Sequence, residues 1–369
     1  MKSPWQKNTG NLSCRWSEVG QCVPYTSGWI QLALLLLMAG FTFPAFAATS
    51  VTGDQLEQFL VAAHGKPDAK VAKQLLELEL TERLSATRFS GFREDLPGSK
   101  ARRALMALAD MSAFLDLPAT EILVIAKPDP EAQHKMISLM MNYVETTIHQ
   151  LPNFSATRLT TSFQRNLSSG DSALHPDGRH SGIVLYRDGE ERLNSTGSES
   201  KVPGLTKSVE FGPILMTVPG LTTSGEFGPI LMTALLDAAR GNLMWSHWEQ
   251  AATGPAAVYR YAVPAEESHY LVANQLSGYK GEIAIDPSDG AVLRLVLRAE
   301  PPPLNPRRIA DIVVEYGSVE LGGKTYICPL KGVALFQGLD SIQLNDVGFQ
   351  QYRLFRASTR MLPGFSERP

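Results

Sequence analysis

The spacing of apolar residues changes at Leu151–Pro152, and this change limits the folds open to the chain. Before it, apolar residues recur every three or four positions, as on one face of an amphipathic helix. After it, apolar and polar residues alternate, as in strands that bury one face. Short turn signals join these strands, so neighbours along the chain pair in antiparallel fashion. The sequence therefore predicts an α+β protein, with a short helical region followed by a curved antiparallel sheet with packed helices.

The alternation also predicts where the strands lie. Leu293, Leu295 and Leu297 alternate with Arg294 and Arg298, which predicts a sheet with one apolar and one wetter face. The clearest strands are residues 258–263, 282–285, 292–298, 309–316, 326–328 and 349–355. The hairpin signals between strands are Asp188-Gly189, Asp286-Pro-Ser-Asp-Gly290 and Gly322-Gly323.

Amphipathic helices precede the sheet. Thr52 or Asp54 can cap the first, and two more follow before residue 117. A longer helix over residues 129–149 begins with the favourable N-cap and N1 pair Asp129-Pro130. Nearly half of its circumference is apolar, and it is rich in methionine. We interpret it as a core helix lying on the sheet, and a lipid-binding methionine face is the alternative.

An apolar run at Trp29–Ala47 is typical of an export signal. Ala45 and Ala47 fit the small positions of a cleavage site, and Pro44 interrupts the run, so we expect cleavage rather than an uncleaved anchor. No cysteine follows at the spacing of a lipoprotein signal. We therefore expect a periplasmic or secreted protein that contacts the membrane only through this segment.

The predicted organisation has four parts. Residues 1–47 are the signal peptide, 48–126 a helical region, 127–360 a helix plus an antiparallel half-barrel domain, and 361–369 a tail.

A tandem duplication lies inside the third part. Residues 202–217 recur almost unchanged as residues 218–233. In the second copy an apolar stripe from Phe227 continues as a helix to Arg240, whereas Pro219 stops the helix of the first copy. We predict that the second copy packs in the fold and that the first copy bulges out.

Composition and spacing give no support to nucleic-acid, metal or cofactor chemistry. The formal net charge is −3 and there is no basic block, so nucleic acid is not an expected partner. No two histidines have the helical spacing of a zinc site, and no P-loop or dinucleotide fingerprint is present. His175 and His180 fall in what reads as a polar loop over Ser168–Ser181. We expect no metal and no cofactor.

Candidate catalytic groups have simpler explanations. Gly170-Asp171-Ser172 matches the nucleophile block of GDS-type hydrolases, but no strand leads into it and no Asp-x-x-His lies near the chain end. Asp286 and Asp289 fit the turn of a hairpin. Cys328 is the only cysteine after the signal, and its apolar neighbours predict a buried, inert thiol. We expect no enzyme activity.

The hairpin phrase Gly281–Leu297 resembles the periplasmic lipoprotein-carrier superfamily, which includes LolA, LolB and the RseB regulator. The order of helix 129–149, strands from about residue 153 and an embedded helix 227–240 is similar as well. This resemblance, over about residues 130–360, implies a half-open antiparallel barrel whose helix-covered concave side takes acyl chains. The phrases 222–228, 258–264 and 314–320 resemble a family of exported bacterial proteins, which implies export and no particular activity.

The leading hypothesis is an exported, non-catalytic protein that binds an apolar ligand, an acyl chain or a lipoprotein, in a half-barrel. The candidate lining residues are Trp245, Trp248, Tyr259, Tyr261 and Tyr316, since aromatic faces suit apolar ligands. The alternative is a protein-interaction or regulatory module with a filled core, whose N-terminal helices dock a partner. A hydrolase with an unrecognised site is the third hypothesis. An open apolar concavity favours the first, and a packed interior favours the second.

Overall fold

The computed structural model describes residues 49–169, 173–188, 190–195, 214–216, 229–240, 242–272, 275–300 and 309–354. The predicted signal segment and the predicted tail lie outside these ranges. Over the ranges that are described, no helix has both the length and the apolar character that a membrane crossing requires.

The helices begin where the capping signals predict. Thr52 accepts a hydrogen bond from the Gln55 amide, and the Gln55 side chain accepts one from the Thr52 amide, a capping box that starts α1. The Asp129 side chain accepts a hydrogen bond from the Ala132 amide and so caps α5, with Pro130 in its first turn. The bounds are α1 Gly53–Ala62, α2 Asp68–Leu76, α3 Ala86–Glu94, α4 Ser99–Ser112, α5 Pro130–Gln150 and α6 Pro229–Arg240.

Antiparallel strands form one large sheet. The strands are β1 Thr49–Val51, β2 Leu78–Leu80, β3 Phe154–Asn166, β4 His175–Arg187, β5 Glu190–Ser195, β6 Ile214–Met216, β7 Asn242–Ala251, β8 Gly254–Val263, β9 Tyr270–Val272, β10 Gln275–Leu276, β11 Tyr279–Ile285, β12 Val292–Ala299, β13 Ile309–Leu321, β14 Lys324–Gln337 and β15 Ser341–Leu354. The ten-stranded sheet has the order β5-β4-β3-β15-β14-β13-β12-β11-β8-β7, so β5 and β7 are its edges and the barrel is not closed. The predicted α+β architecture with a half-barrel sheet is confirmed.

Helices cover both faces of this sheet. We call the face under α5 and α6 the inner face, and the face under α4 the outer face. On the outer face, Val296 and Val313 pack against Ala107 of α4. Arg294, on the same strand face as Val296, is buried among carboxylates. At Arg294 the expectation of a wetter face is therefore wrong, because α4 covers this face with apolar side chains, and Glu249 of β7 and Glu282 of β11 supply the counter-charges.

The duplicated segment folds differently in its two copies. Ile230 and Leu231 of the second copy, and Ala234 and Leu235 directly after it, are buried in the inner core, as predicted. From the first copy, Ile214–Met216 forms β6, which pairs in parallel with β9 in a three-stranded sheet. The prediction of a bulged-out first copy missed this strand, and the rest of that copy lies outside the described residues.

Candidate functional site

Helix α5 lies over the inner face with its apolar stripe turned inward. Met136, Met140 and Val144, which are four residues apart, are all buried in the inner core. The turn before β12 approaches the middle of α5 closely: Gly290 has φ +80°, and a Cβ there would lie 2.3 Å from the Leu139 carbonyl carbon. Only glycine suits this position, because it combines the left-handed conformation with a backbone-to-backbone contact. The interpretation of α5 as a core helix is confirmed.

One end of the inner face is closed by hydrogen bonds around a buried carboxylate. Asp237 of α6 accepts hydrogen bonds from the Tyr279 hydroxyl at 2.7 Å, the His269 amide at 3.0 Å and His269 Nδ1 at 2.6 Å. Nearby, the Tyr270 hydroxyl donates to the Ala310 carbonyl at 3.1 Å. Burial raises the pKa of Tyr270 and of Tyr279 well above the usual value, so both remain neutral donors. These bonds tie α6 and the small sheet to the ends of β11 and β13.

The other end of the inner face carries a narrow crevice beneath the C-terminal half of α5. The crevice and its mouth together have a volume of about 350 Å³. Only about 20 Å³ of this volume is accessible to a water-sized sphere. That is room for about one water molecule. The lining residues come from α5 and the residue that follows it, and from α6, β12, β13 and β14. They are Tyr143, Val144, Thr147, Leu151, Leu231, Val292, Tyr316, Ile327 and Pro329.

The crevice offers apolar contact rather than reactive chemistry. None of its lining residues is charged. Burial raises the pKa of Tyr143 to about 12, so its hydroxyl stays neutral at physiological pH. Cys328, beside two of the lining residues in sequence, is fully buried, and burial raises the pKa of its thiol to about 12. The arrangement can hold an apolar group but supplies no nucleophile or base.

Three of the five predicted lining residues come together elsewhere on the inner face. The ring centroids of Trp245 and Trp248 lie 5.0 Å apart, and those of Trp245 and Tyr259 lie 5.6 Å apart. The Trp248 indole donates to the Ala126 carbonyl at 3.0 Å, and the Tyr259 hydroxyl donates to the Gln133 carbonyl at 3.4 Å. This cluster lies beneath the beginning of α5, where it packs against the chain that leads into the helix.

The remaining two predicted residues are separated from this cluster. Tyr261 is buried in the core, where its hydroxyl donates to the Val296 carbonyl at 2.7 Å across Gly281. A Cβ at Gly281 would lie 1.8 Å from the Val296 carbonyl oxygen, so glycine is required for this crossing. Tyr316 lines the crevice. Of the predicted set, only Tyr316 belongs to the crevice.

Sequence reasoning missed most of the crevice. Tyr143 belongs to the widened apolar stripe of α5, and that stripe was the one available signal for the helix side of the site. Ile327 and Pro329 flank Cys328 on β14 and lie opposite α5 only because the sheet curves beneath it. The spacing of apolar residues along a strand does not predict which of them will be covered by a helix that is distant in sequence.

The other candidate groups from the sequence analysis have structural roles or lie outside the described residues. Asp286 Oδ1 accepts hydrogen bonds from the Ser288 amide and hydroxyl, and Asp289 Oδ1 accepts one from the Ala291 amide, as expected for a turn. The loop prediction over Ser168–Ser181 is wrong in its second half, because β4 begins at His175 and pairs His180 with Thr160 of β3. Asp171 and Ser172 lie outside the described residues. Within the described ranges, no cluster of three metal-ligating side chains occurs.

Comparisons with known proteins give structural neighbours only. No family model and no curated protein matches the sequence. Among solved structures, a LolA superfamily protein from Nitrosomonas europaea matches with 11% identity and a TM-score of 0.31, covering 60% of this chain and 94% of that one. A DUF1329 family protein from Desulfovibrio piger matches with 8% identity and a TM-score of 0.32, covering 63% and 96%. An outer membrane lipoprotein-sorting protein domain from Vibrio parahaemolyticus matches with 9% identity and a TM-score of 0.30, covering 60% and 92%.

These neighbours include the superfamily that the hairpin phrase Gly281–Leu297 resembles. At these identities and TM-scores they transfer no binding residue to this chain, so the site is defined by its own geometry.

Proposed function

We propose that the protein is an exported, non-catalytic binder of a single apolar chain, such as the acyl chain of a lipid or lipoprotein. The chain enters the crevice beneath the C-terminal half of α5, next to Tyr143 and Tyr316. The observation that carries this proposal is the uncharged, apolar lining of that crevice at the end of the half-barrel opposite the Asp237 cluster.

The interior is packed and the crevice as it stands has room for about one water molecule, which by itself favours the protein-interaction alternative. Binding of an apolar chain therefore requires α5 to move. Three features favour such a movement. The helix faces the core with Met136 and Met140, whose unbranched side chains adapt to new neighbours. Its middle is fixed against Gly290, so the part beyond Met140 can shift outward alone. Each ligand methylene that is buried contributes about 0.8 kcal/mol toward the cost.

A matched pair of substitutions on α5 tests the proposal. Thr147 lines the crevice, whereas its neighbour Thr146 is exposed on the same turn. Thr147→Trp fills the mouth, and Thr146→Trp adds the same side chain facing solvent. We expect native mass spectrometry to show one palmitate on the wild type and on Thr146→Trp, with binding at least about tenfold weaker in Thr147→Trp, the loss of about two buried methylenes.

Thermal unfolding of the three proteins checks that the folds are comparable. If the wild type binds no palmitate, or if all three proteins bind it equally, the crevice is not the ligand site. The filled inner core around Tyr259, Tyr261, Tyr270 and Tyr279 then favours a protein-interaction module.

A further inference from the structure

An exposed apolar run connects the N-terminal helices to α5. The residues Ile122-Leu-Val-Ile125 follow the short 3-10 helix Ala119–Glu121. Val124 is fully exposed and Ile125 is about half exposed, at 46%. Consecutive exposed apolar residues in a loop are costly to solubility and are retained where they serve contact with another molecule.

This run lies along an edge of the ten-stranded sheet. β7 is an edge strand, and the Leu123 amide donates to the Trp248 carbonyl of β7 at 3.1 Å. The Trp248 indole also donates a hydrogen bond to the Ala126 carbonyl at 3.0 Å. The run therefore lies against the C-terminal half of β7, and covering an edge with a loop is one way in which proteins protect it.

The main chain of the run is only partly paired. Ile122 has the extended backbone angles φ −73° and ψ 127°, and the Ile125 amide then donates to the Leu123 carbonyl at 2.9 Å, so the chain makes a three-residue turn centred on Val124. Within the described part of the chain, no hydrogen bond reaches the amide or the carbonyl of Val124. Met244, earlier on β7, is also exposed, at 63%. Unpaired main-chain groups beside exposed apolar side chains are the features that allow an extended segment to add to a sheet.

An acidic basin adjoins the run and indicates that the partner is positively charged. The basin is a shallow depression that is open to solvent, and its lining includes Ile122, Leu123 and Val124. At its floor, Arg88 pairs with Asp54 at 2.8 Å, with Glu57 at 3.2 Å and with Glu121 at 3.5 Å. One guanidinium therefore faces three carboxylates, and Asp54 and Glu57 remain largely exposed. This excess of negative charge attracts cationic side chains.

We infer that the run 122–126 and the adjoining acidic basin dock an extended, basic segment of a partner protein. The segment hydrogen-bonds through its main chain to the free amide and carbonyl of Val124 and packs aliphatic side chains against Val124 and Ile125. Its Lys or Arg side chains reach Asp54 and Glu57. This surface is separate from the crevice, so it adds a protein partner to the proposed binding of an apolar chain.

Synthetic peptides of defined sequence test the inference on the full-length protein. The probe is an alternating Lys-Val heptapeptide, and its matched controls are the Glu-Val heptapeptide and a Lys-Val peptide that is N-methylated on one edge. We expect fluorescence anisotropy to detect binding of the Lys-Val peptide only. N-methylation should weaken binding at least about tenfold, because it removes main-chain hydrogen bonds.

Protein variants separate the run from the basin. Val124→Asn should reduce binding, whereas Leu339→Asn, which changes an exposed apolar residue on another loop, should leave it unchanged. Asp54→Asn with Glu57→Gln should weaken binding about fivefold and reduce its salt dependence, as expected for exposed ion pairs. Thr147→Trp should leave peptide binding intact, which distinguishes failure of this inference from failure of the crevice proposal.

Three results would overturn the inference. The first is equal binding of the Lys-Val and Glu-Val peptides, and the second is equal binding by the wild type and Val124→Asn. The third is a dimer in light scattering that Val124→Asn dissociates, which would assign the exposed run to a second copy of this chain.

Discussion

The two faces of the ten-stranded sheet are covered in physically different ways. On the inner face, α5 contributes Met136, Met140 and Val144 to an apolar core, and such contacts have no preferred direction. On the outer face, the N-terminal layer is joined to the strands by ion pairs, with Asp110 2.5 Å from Lys331, and Arg83 2.7 Å from Glu249. Ion pairs with little solvent exposure require a specific geometry.

This difference indicates which layer can move. The N-terminal layer is locked to one position on the sheet, because a shift would leave charges without partners. Helix α5 can shift at lower cost, because a methionine that loses one apolar contact can form another. The layer that is free to adjust is the one that covers the crevice.

The largest expected effect comes from removing a charge on the outer face. Lys331 forms ion pairs with Asp110 at 2.5 Å and with Asp346 at 3.6 Å. Lys331→Met keeps most of the side-chain volume but leaves two carboxylates without their cation. We expect the free energy of unfolding at pH 8 to fall by about 3 kcal/mol in urea denaturation. Lys324→Met, at an exposed lysine of the same strand, is the control, and an equal loss in both variants would contradict the comparison.

The pH dependence of stability gives the next largest effect. Burial raises the pKa of Asp110 to about 7, and burial also raises that of Asp346. The native state therefore holds a proton that the unfolded chain has lost, so this contribution to stability is present at low pH and disappears as the pH rises through about 7. Between pH 5.5 and 7 we expect a decrease of up to about 2 kcal/mol in the free energy of unfolding.

Urea denaturation across this pH range checks the assignment. Asp110→Asn should flatten the dependence, because the amide cannot titrate. Asp177→Asn, at an exposed position on β4, should leave the slope as it is in the wild type. An unchanged slope in Asp110→Asn would exclude this carboxyl as its origin.

The smallest effect is expected on the inner face. Met140→Leu conserves volume at a fully buried position of α5, and such exchanges usually cost less than about 1.5 kcal/mol. The branched side chain is less adaptable, so palmitate binding should weaken more than stability does. Parallel measurements of unfolding and of palmitate binding test this. A loss of stability as large as that of Lys331→Met would show that the inner face is packed as specifically as the outer one.

Local signals predicted most of the elements but not all. The capping residues Thr52 and Asp129 and the change of periodicity after Leu151 located helices and the start of the sheet correctly. Helix α3 was missed because its apolar residues form no regular stripe and none of its residues is buried. β4 was read partly as a loop because His175 begins an exposed, polar stretch of strand.

The candidate site was harder to predict than the fold. Trp245, Trp248 and Tyr259 do form an aromatic cluster, but it packs beneath the beginning of α5. Tyr316 lines the crevice, which also needs Leu231 from the duplicated segment and Tyr143 from α5. These residues are far apart in sequence, and no spacing rule links them.

By itself, the sequence determined the element types and their order, because helix caps, turn residues and apolar periodicity act over a few neighbouring residues. Only the tertiary structure decided that both faces of the sheet are covered, that the arginines of the wetter face are neutralised by carboxylates, and that α5 leaves a crevice at one end. Those outcomes depend on contacts between residues such as Asp110 and Lys331, which are distant in the chain and meet only when the layers pack.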